Sequence, residues 1–366
     1  MPNVKIVEKM HRDLIDLHQQ EEINARLGPN EIEIIREIFH TPLVGSYNWD
    51  YSITNDRLER LYELGKQLNW NAEDDLDWDT PVDRTKFITD QKYNAFRGFA
   101  PYEAMSEEKK IEFDWHMMAQ KCSNFLHGEQ GAMLVASQLV SCAPTYEAKL
   151  YASSQTFDEA RHVEVFNKYL RRKIGFMYPI SETLKAILDK VLGDERWYLK
   201  FIGMQLIIEG LALAAFNTAK MSAVDPLFAQ VCHLVIRDEA RHVTFGVNFL
   251  EDFVKTLPTQ EREDAAAIAF DVCVLMRERL ITSDVFAQFG WDPEEARKWQ
   301  LDSDVAGNFR NLLFTRVMPN LNRVGLLTDK IRPKYEQLGL LTYSTYPDNH
   351  EIDWVELEKP LFEKSA

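Results

Sequence analysis

Two copies of one pentapeptide, Asp158-Glu159-Ala160-Arg161-His162 and Asp238-Glu239-Ala240-Arg241-His242, constrain this chain more than any other feature. Each contains Glu-x-x-His, which on a helix sets a carboxylate and an imidazole on one face about one turn apart. Glu129 stands 30 residues before Glu159, and Glu209 stands 30 before Glu239, so a Glu…Glu-x-x-His unit recurs with an offset of 80. At about 1.5 Å per residue, that interval is one helix out, a turn and most of a helix back. Two such hairpins packed as a four-helix bundle would project Glu129, Glu159, His162, Glu209, Glu239 and His242 inward at one level. A third Glu-x-x-His, Glu37 to His40, has no partner of like spacing and reads as a solvated or capping pair.

The local context favours metal ligation. Glu209 lies in GMQLIIEGLALAAF, where an ionised carboxylate would cost several kcal/mol unless paired or metal-bound. Gly128 and Gly131 beside Glu129 let helices approach closely. A donor set rich in oxygen with two histidines suits Fe or Mn better than Zn or Cu. The competing reading, four buried glutamates in ion pairs with Arg161 and Arg241, explains neither the doubled pentapeptide nor the equal offsets. A ligating imidazole normally donates its other N–H to a carboxylate. Asp238 is therefore expected to support His162 and Asp158 to support His242, with Arg161 and Arg241 neutralising the aspartates.

The rest of the chain can supply such a bundle. Hydrophobic residues make up 45% and charged residues 27%, the balance of an ordinary globular protein. Only 15 Gly and 14 Pro occur, and they fall between long segments of helical apolar spacing, so the chain reads as all-α. Helices are expected from Ser106 to Pro144, Thr145 to about Gly175, after Ser181, from about Glu195 to Ser222 and from about Pro226 to Leu257. Two more are expected, over 260–289 and from Pro293 onward. Residues 1–105 carry weaker helical patterns at 30–40 and 55–68, then the run WNAEDDLDWDTP. That run reads as a surface loop whose tryptophans pack down on the helices. The expected organisation is an extension over 1–105 packed on a bundle over 106–257, with C-terminal helices and tail over 258–366 in the same domain.

The formal charge of −16 argues against a phosphate-tracking nucleic-acid binder. Four cysteines without a CxxC pair and a charged N-terminus unlike a signal or transit peptide point to a cytoplasmic protein with free thiols. The most apolar stretch, Phe201 to Phe216, is interrupted by Gln205 and Glu209, so no membrane span is expected.

At the paired motifs the chain resembles the ferritin-like di-iron carboxylate oxygenases, over about residues 106–257. Within that superfamily it looks most like p-aminobenzoate N-oxygenase-like proteins and the hydroxylase subunits of bacterial multicomponent monooxygenases. LYELGKQLNWNAEDDLDW and MPNLNRVGLLTDKIRPKYEQLGL are also similar to flanking segments of such proteins. The resemblance implies a ferritin-like bundle with added N- and C-terminal helices and a centre of two Fe ions, or an Mn/Fe pair, on the six ligands named above. It further implies O2 activation to hydroxylate or N-oxygenate a largely apolar or aromatic small organic substrate.

Individual branches are matched incompletely. Phe166 stands where ribonucleotide reductase small subunits carry a radical tyrosine, and Glu129 where their first ligand is usually Asp. Gly131 and Met204 occupy the places of the Val–Tyr crosslink of similar ligand-binding oxidases. Leu213 replaces the Thr of multicomponent monooxygenases, and Val235 replaces a seventh ligand, a His, of the aminobenzoate N-oxygenases. An acyl desaturase-like oxidase is an alternative, although an acidic body suits an acidic carrier poorly. A ferritin-like metal-binding or peroxide-consuming protein is another, which leaves the added helices unexplained.

Side chains one turn from the ligands, Phe125, Met133, Phe166, Gln205, Leu213 and Phe216, form the candidate substrate pocket, with ordinary core packing the alternative for each. No Fe–S cysteine spacing and no Gly-rich dinucleotide loop is present, so electrons are expected from a ferredoxin or flavin reductase. No catalytic side chain beyond the metal ligands is expected. The added helices suit a substrate cavity or the face of a homodimer.

Overall fold

Capping residues punctuate the chain where the sequence places them. In the computed structural model, which describes residues 14–24, 37–278, 283–348, 359 and 361, α1 (Leu17–Asn24) and α2 (Asp56–Gln67) precede the bundle. The bundle helices are α3 (Glu107–Cys142), α4 (Tyr146–Tyr169), α6 (Trp197–Ser222) and α7 (Pro226–Thr256), with α5 (Glu182–Gly193) between the two hairpins. Ser106, Thr145, Ser181 and Asp225 each accept a backbone N–H of the first turn of α3, α4, α5 and α7, satisfying donors the helix leaves unpaired. Thr259–Glu278 (α8), Pro293–Asp302 (α9) and Asp304–Val324 (α10) follow. The only sheet among the described residues pairs Ile15–Asp16 with Phe176–Met177.

The all-α expectation holds, with differences of detail. Over 260–289 the structure shows two helices, α8 and Ser283–Gln288, with 279–282 outside the described residues. Most of the expected helix at 30–40 also lies outside them, and residues 37–40 are not helical. Glu37 there pairs with Lys185 at 2.8 Å. The sequence carried no sign of a π-helical segment at Ile202–Ile208, immediately before Glu209 in α6. Gly246 of α7 admits it: a Cβ there would sit 2.6 Å from the Gln205 Cβ.

Three seams of the bundle are tightly packed, α3–α4, α4–α7 and α6–α7. The fourth, between α3 and the part of α6 from Glu209 onward, is parted by a cavity. Helix α2 covers α4 and α7, α5 lies on α3 and α8, and α10 closes over α6 and α7. Residues 52–105 are tied to the bundle by polar contacts. Glu147 at the start of α4 accepts from Thr54 Oγ1 at 2.8 Å and Asn55 N at 3.2 Å, and Arg84 donates to the carbonyls of Lys173 and Ile174. Helix α6 is long and apolar enough to cross a membrane, yet 89% of its most apolar window is buried inside the molecule, which makes it a core helix.

Candidate metal centre

The fold brings all six predicted ligand residues together at one level. Glu129 comes from α3, Glu159 and His162 from α4, Glu209 from α6, and Glu239 and His242 from α7; all are buried. Their donor atoms form two groups, Glu129, Glu159, His162 and Glu239 in one and Glu159, Glu209 and His242 in the other, each within 4.8 Å. Glu159 belongs to both. His162 Nδ1 lies 3.1 Å from Glu129 Oε2, 3.3 Å from Glu159 Oε2 and 3.2 Å from Glu239 Oε1. His242 Nδ1 lies 3.1 Å from Glu159 Oε1 and 3.8 Å from Glu239 Oε2.

The opposite ring nitrogens face the aspartates in the crossed pattern the sequence suggests. His162 Nε2 is 3.1 Å from Asp238 Oδ2, and His242 Nε2 is 3.2 Å from Asp158 Oδ2. Arg161 donates to Asp158 at 2.5 Å and Asp238 at 3.2 Å, while Arg241 donates to Asp238 at 2.6 Å and Asp158 at 2.9 Å. Two carboxylates and two guanidiniums thus form a charge-balanced layer in which every carboxylate oxygen is met, although the Nε–H groups of Arg161 and Arg241 have no partner among the described residues. It holds each Nε2 in the N–H state and turns each Nδ1 toward the glutamates, so that Nδ1 is the nitrogen that would give up its proton to bind a metal.

The glutamate layer has no such balance. Glu159 Oε2, Glu209 Oε2, both Glu239 oxygens and His242 Nδ1 are buried without a hydrogen-bond partner. Orphans of this kind are rare in native proteins unless a metal or water serves them. Burial and the neighbouring Glu239 hold the Glu129 and Glu209 carboxyls well above the usual range. Burial works against charge on the imidazoles too, but their carboxylate neighbours override it and hold both well above the ordinary histidine value. Protons thus occupy places that positive charge must fill. Two divalent ions would cancel the four glutamate charges, and the donor types fit iron or manganese.

Two contributors escaped the sequence reading. Trp70, in the acidic and aromatic run, is 4% exposed and packs down as expected, but its indole N–H also donates to Asp238 Oδ2 at 2.7 Å. Gln155, fully buried one turn before Glu159, donates to Glu209 Oε1 at 2.8 Å and lies 3.4 Å from Glu159 Oε1. Its spacing of four residues from a ligand was a usable signal. Trp70, 168 residues from Asp238, offered none.

A cavity of about 650 Å³ opens from this centre along the parted seam, with Glu129, Glu209 and Glu239 at one end. Phe125 and Phe216 line it, whereas Met133, Phe166, Gln205 and Leu213 do not. Helical phase explains the correction. The stripe of α3 facing the cavity runs Phe125, Gly128, Glu129, Ala132, and one step further round puts Met133 outside it. Likewise Leu211, Ala212 and Ala215 take the place expected for Leu213. Phe166 stacks behind Phe216 with ring centroids 5.7 Å apart, and the π segment sets Gln205 near Gln155, at 3.4 Å.

Comparisons with known proteins agree with this architecture. The sequence profile described as P-aminobenzoate N-oxygenase AurF matches residues 52–325. The uncharacterized protein MT0908 of Mycobacterium tuberculosis (strain CDC 1551 / Oshkosh) is 23% identical over 279 residues, covering 68% of this chain and 78% of its own length. The uncharacterized protein Rv0885 of strain ATCC 25618 / H37Rv is 22% identical over 276 residues, with the same coverage of 68% and 78%. A solved R2-like ligand-binding oxidase, with an aerobically reconstituted metal cofactor after photoconversion, superposes with a TM-score of 0.50 at 18% identity. The superposition covers 75% of this chain and 94% of that one, and it shows a shared ferritin-like fold.

Proposed function

The chain belongs to the p-aminobenzoate N-oxygenase AurF family, and from that premise we propose that it is a non-haem oxygenase using O2 to hydroxylate or N-oxygenate a largely apolar small organic substrate. Glu129, Glu159, His162, Glu209, Glu239 and His242 would hold two Fe ions, or an Mn/Fe pair, and Glu159 belongs to both donor groups. The observation that carries this reading is the pair of Glu/His groups whose orphaned oxygens meet a largely apolar cavity. When bound, the metals supply the redox chemistry of O2 activation.

The chain's own residues do the rest. Asp238 and Asp158 fix the imidazole tautomers, and Arg161 and Arg241 keep that support neutral overall. Gln155 orients the Glu209 carboxylate through the N–H it donates. Phe125, Phe216 and the small residues of α6 exclude water beside the metals and give an organic substrate a place to lie. Electrons come from a separate ferredoxin or flavin reductase. The four cysteines are buried and unpaired, which supports a reducing, cytoplasmic setting. A protein that only stored metal or consumed peroxide would have no use for the cavity.

Anaerobic loading with Fe(II), then exposure to O2 under stopped-flow absorbance, tests the reading. A transient chromophore whose decay quickens when small aromatic or acyl compounds are added supports the oxygenase. Iron uptake that continues far above two ions per chain would instead establish storage.

A further inference from the structure

The cavity is polarised along its length. Among the described residues five charged side chains line it: three are the glutamates of the metal centre, and the other two are Lys92 and Lys121. Lys92 is exposed and committed to Asp90 at 2.8 Å and to the Tyr93 ring. Lys121 is half-buried and makes no ion pair or hydrogen bond among the described residues. Asp114, seven residues earlier on α3, is occupied by the backbone N–H groups of Ile88 and Thr89, both at 2.8 Å. Beside Lys121 on α3 stands Gln120, 6% exposed, lining the same cavity and equally without a hydrogen-bond partner. A buried amide and a half-buried ammonium that face the cavity with no protein partner among the described residues are the polar groups a ligand lying there would meet.

Lys121 lies eight residues before Glu129 on one helix, which is about 12 Å along its axis. The wall between the two ends is apolar, with Phe125 on α3 facing Ala212, Ala215 and Phe216 on α6. Resting on the oxygenase reading above, we propose that the substrate is an elongated amphipathic anion. Its carboxylate is held by Lys121 and Gln120, its apolar body fills the seam, and its reacting atom lies at the glutamate end about 12 Å away. An aminobenzoate, whose two functional groups stand across a single ring, is too short to reach both ends. The cavity volume of about 650 Å³ lies in the range that holds ligands well beyond about ten non-hydrogen atoms.

The test is equilibrium binding by isothermal titration calorimetry to the full chain, metal-free and iron-loaded. The probes are 6-phenylhexanoate, its neutral counterpart 6-phenylhexan-1-ol, and p-aminobenzoate. The acid is expected to bind about tenfold or more tightly than the alcohol, because a charge-assisted bond at a half-buried site is worth at least that factor. p-Aminobenzoate is expected to bind at least about tenfold more weakly than the acid. Lys121→Met should erase the acid's advantage without changing the alcohol's affinity, Lys121→Arg should keep it, and Gln120→Leu should reduce it a few-fold. Equal binding of acid and alcohol to the wild type, or an advantage that survives in Lys121→Met, overturns the proposal. The wild-type comparison decides even if a variant fails to fold. Binding to metal-free protein reads the anion pole without turnover. A chain that discriminates the acid yet never consumes O2 fails the oxygenase reading alone, and one that turns over yet discriminates nothing fails this proposal alone.

Discussion

The two pentapeptides, joined by Glu129 and Glu209, build two buried charged layers whose carboxylates are served differently. In the aspartate–arginine layer every carboxylate oxygen has a partner: Asp158 is met by Arg161, Arg241 and His242, and Asp238 by Arg161, Arg241, His162 and Trp70. In the glutamate–histidine layer, on the other side of the imidazole rings, four carboxylate oxygens and one imidazole nitrogen have none. A closed layer holds a structure together, and an open one awaits a ligand. The contrast separates residues whose loss should unfold the protein from residues whose loss should empty it.

Substitution at the shared glutamate probes the open layer with the largest expected effect. Glu159→Ala should leave the metal-free chain folded by circular dichroism but abolish O2-dependent turnover, with metal analysis finding less than one ion per chain. Next comes the closed layer. Arg241 is fully buried between two aspartates, so Arg241→Met strands their charge and should destabilise the metal-free protein by about 3–5 kcal/mol in denaturant unfolding. A loss under about 1 kcal/mol would mean the layer is not the structural support described. Where the layers touch, Asp238→Ala and Asp158→Ala should weaken iron binding by about 10–100-fold in chelator competition. Full iron occupancy in both variants would remove the supporting role of the aspartates. Smallest is Trp70→Phe, which deletes one of several bonds to Asp238 and should lower metal affinity by about threefold.

The two layers also differ in how legible they were. Spacing alone anticipated that the six candidate ligands and the crossed aspartates would come together, because both follow from helix periodicity and an internal repeat, which are local properties. Ser106, Thr145 and Ser181 marked helix starts for the same reason. The contact of Trp70 with Asp238 is set by how the extension folds back, and no local pattern encodes it. The π segment before Glu209 depends on what Gly246 of α7 permits from across the seam. The cavity lining went astray at Met133 and Leu213 because spacing of one turn leaves the rotational phase of the helix open; packing of α3 against α4 and α5 fixes it. Gln120 and Lys121 lay on the same stripe as Glu129 and could have been found by extending that stripe toward the start of α3.

The central claim, that the unsatisfied glutamate layer is a two-metal site, is tested most directly by counting. Wild-type protein loaded anaerobically with Fe(II) and freed of loose metal should retain two ions per chain, and Glu159→Ala should not. Retention of fewer than two by the wild type after such loading would contradict the account.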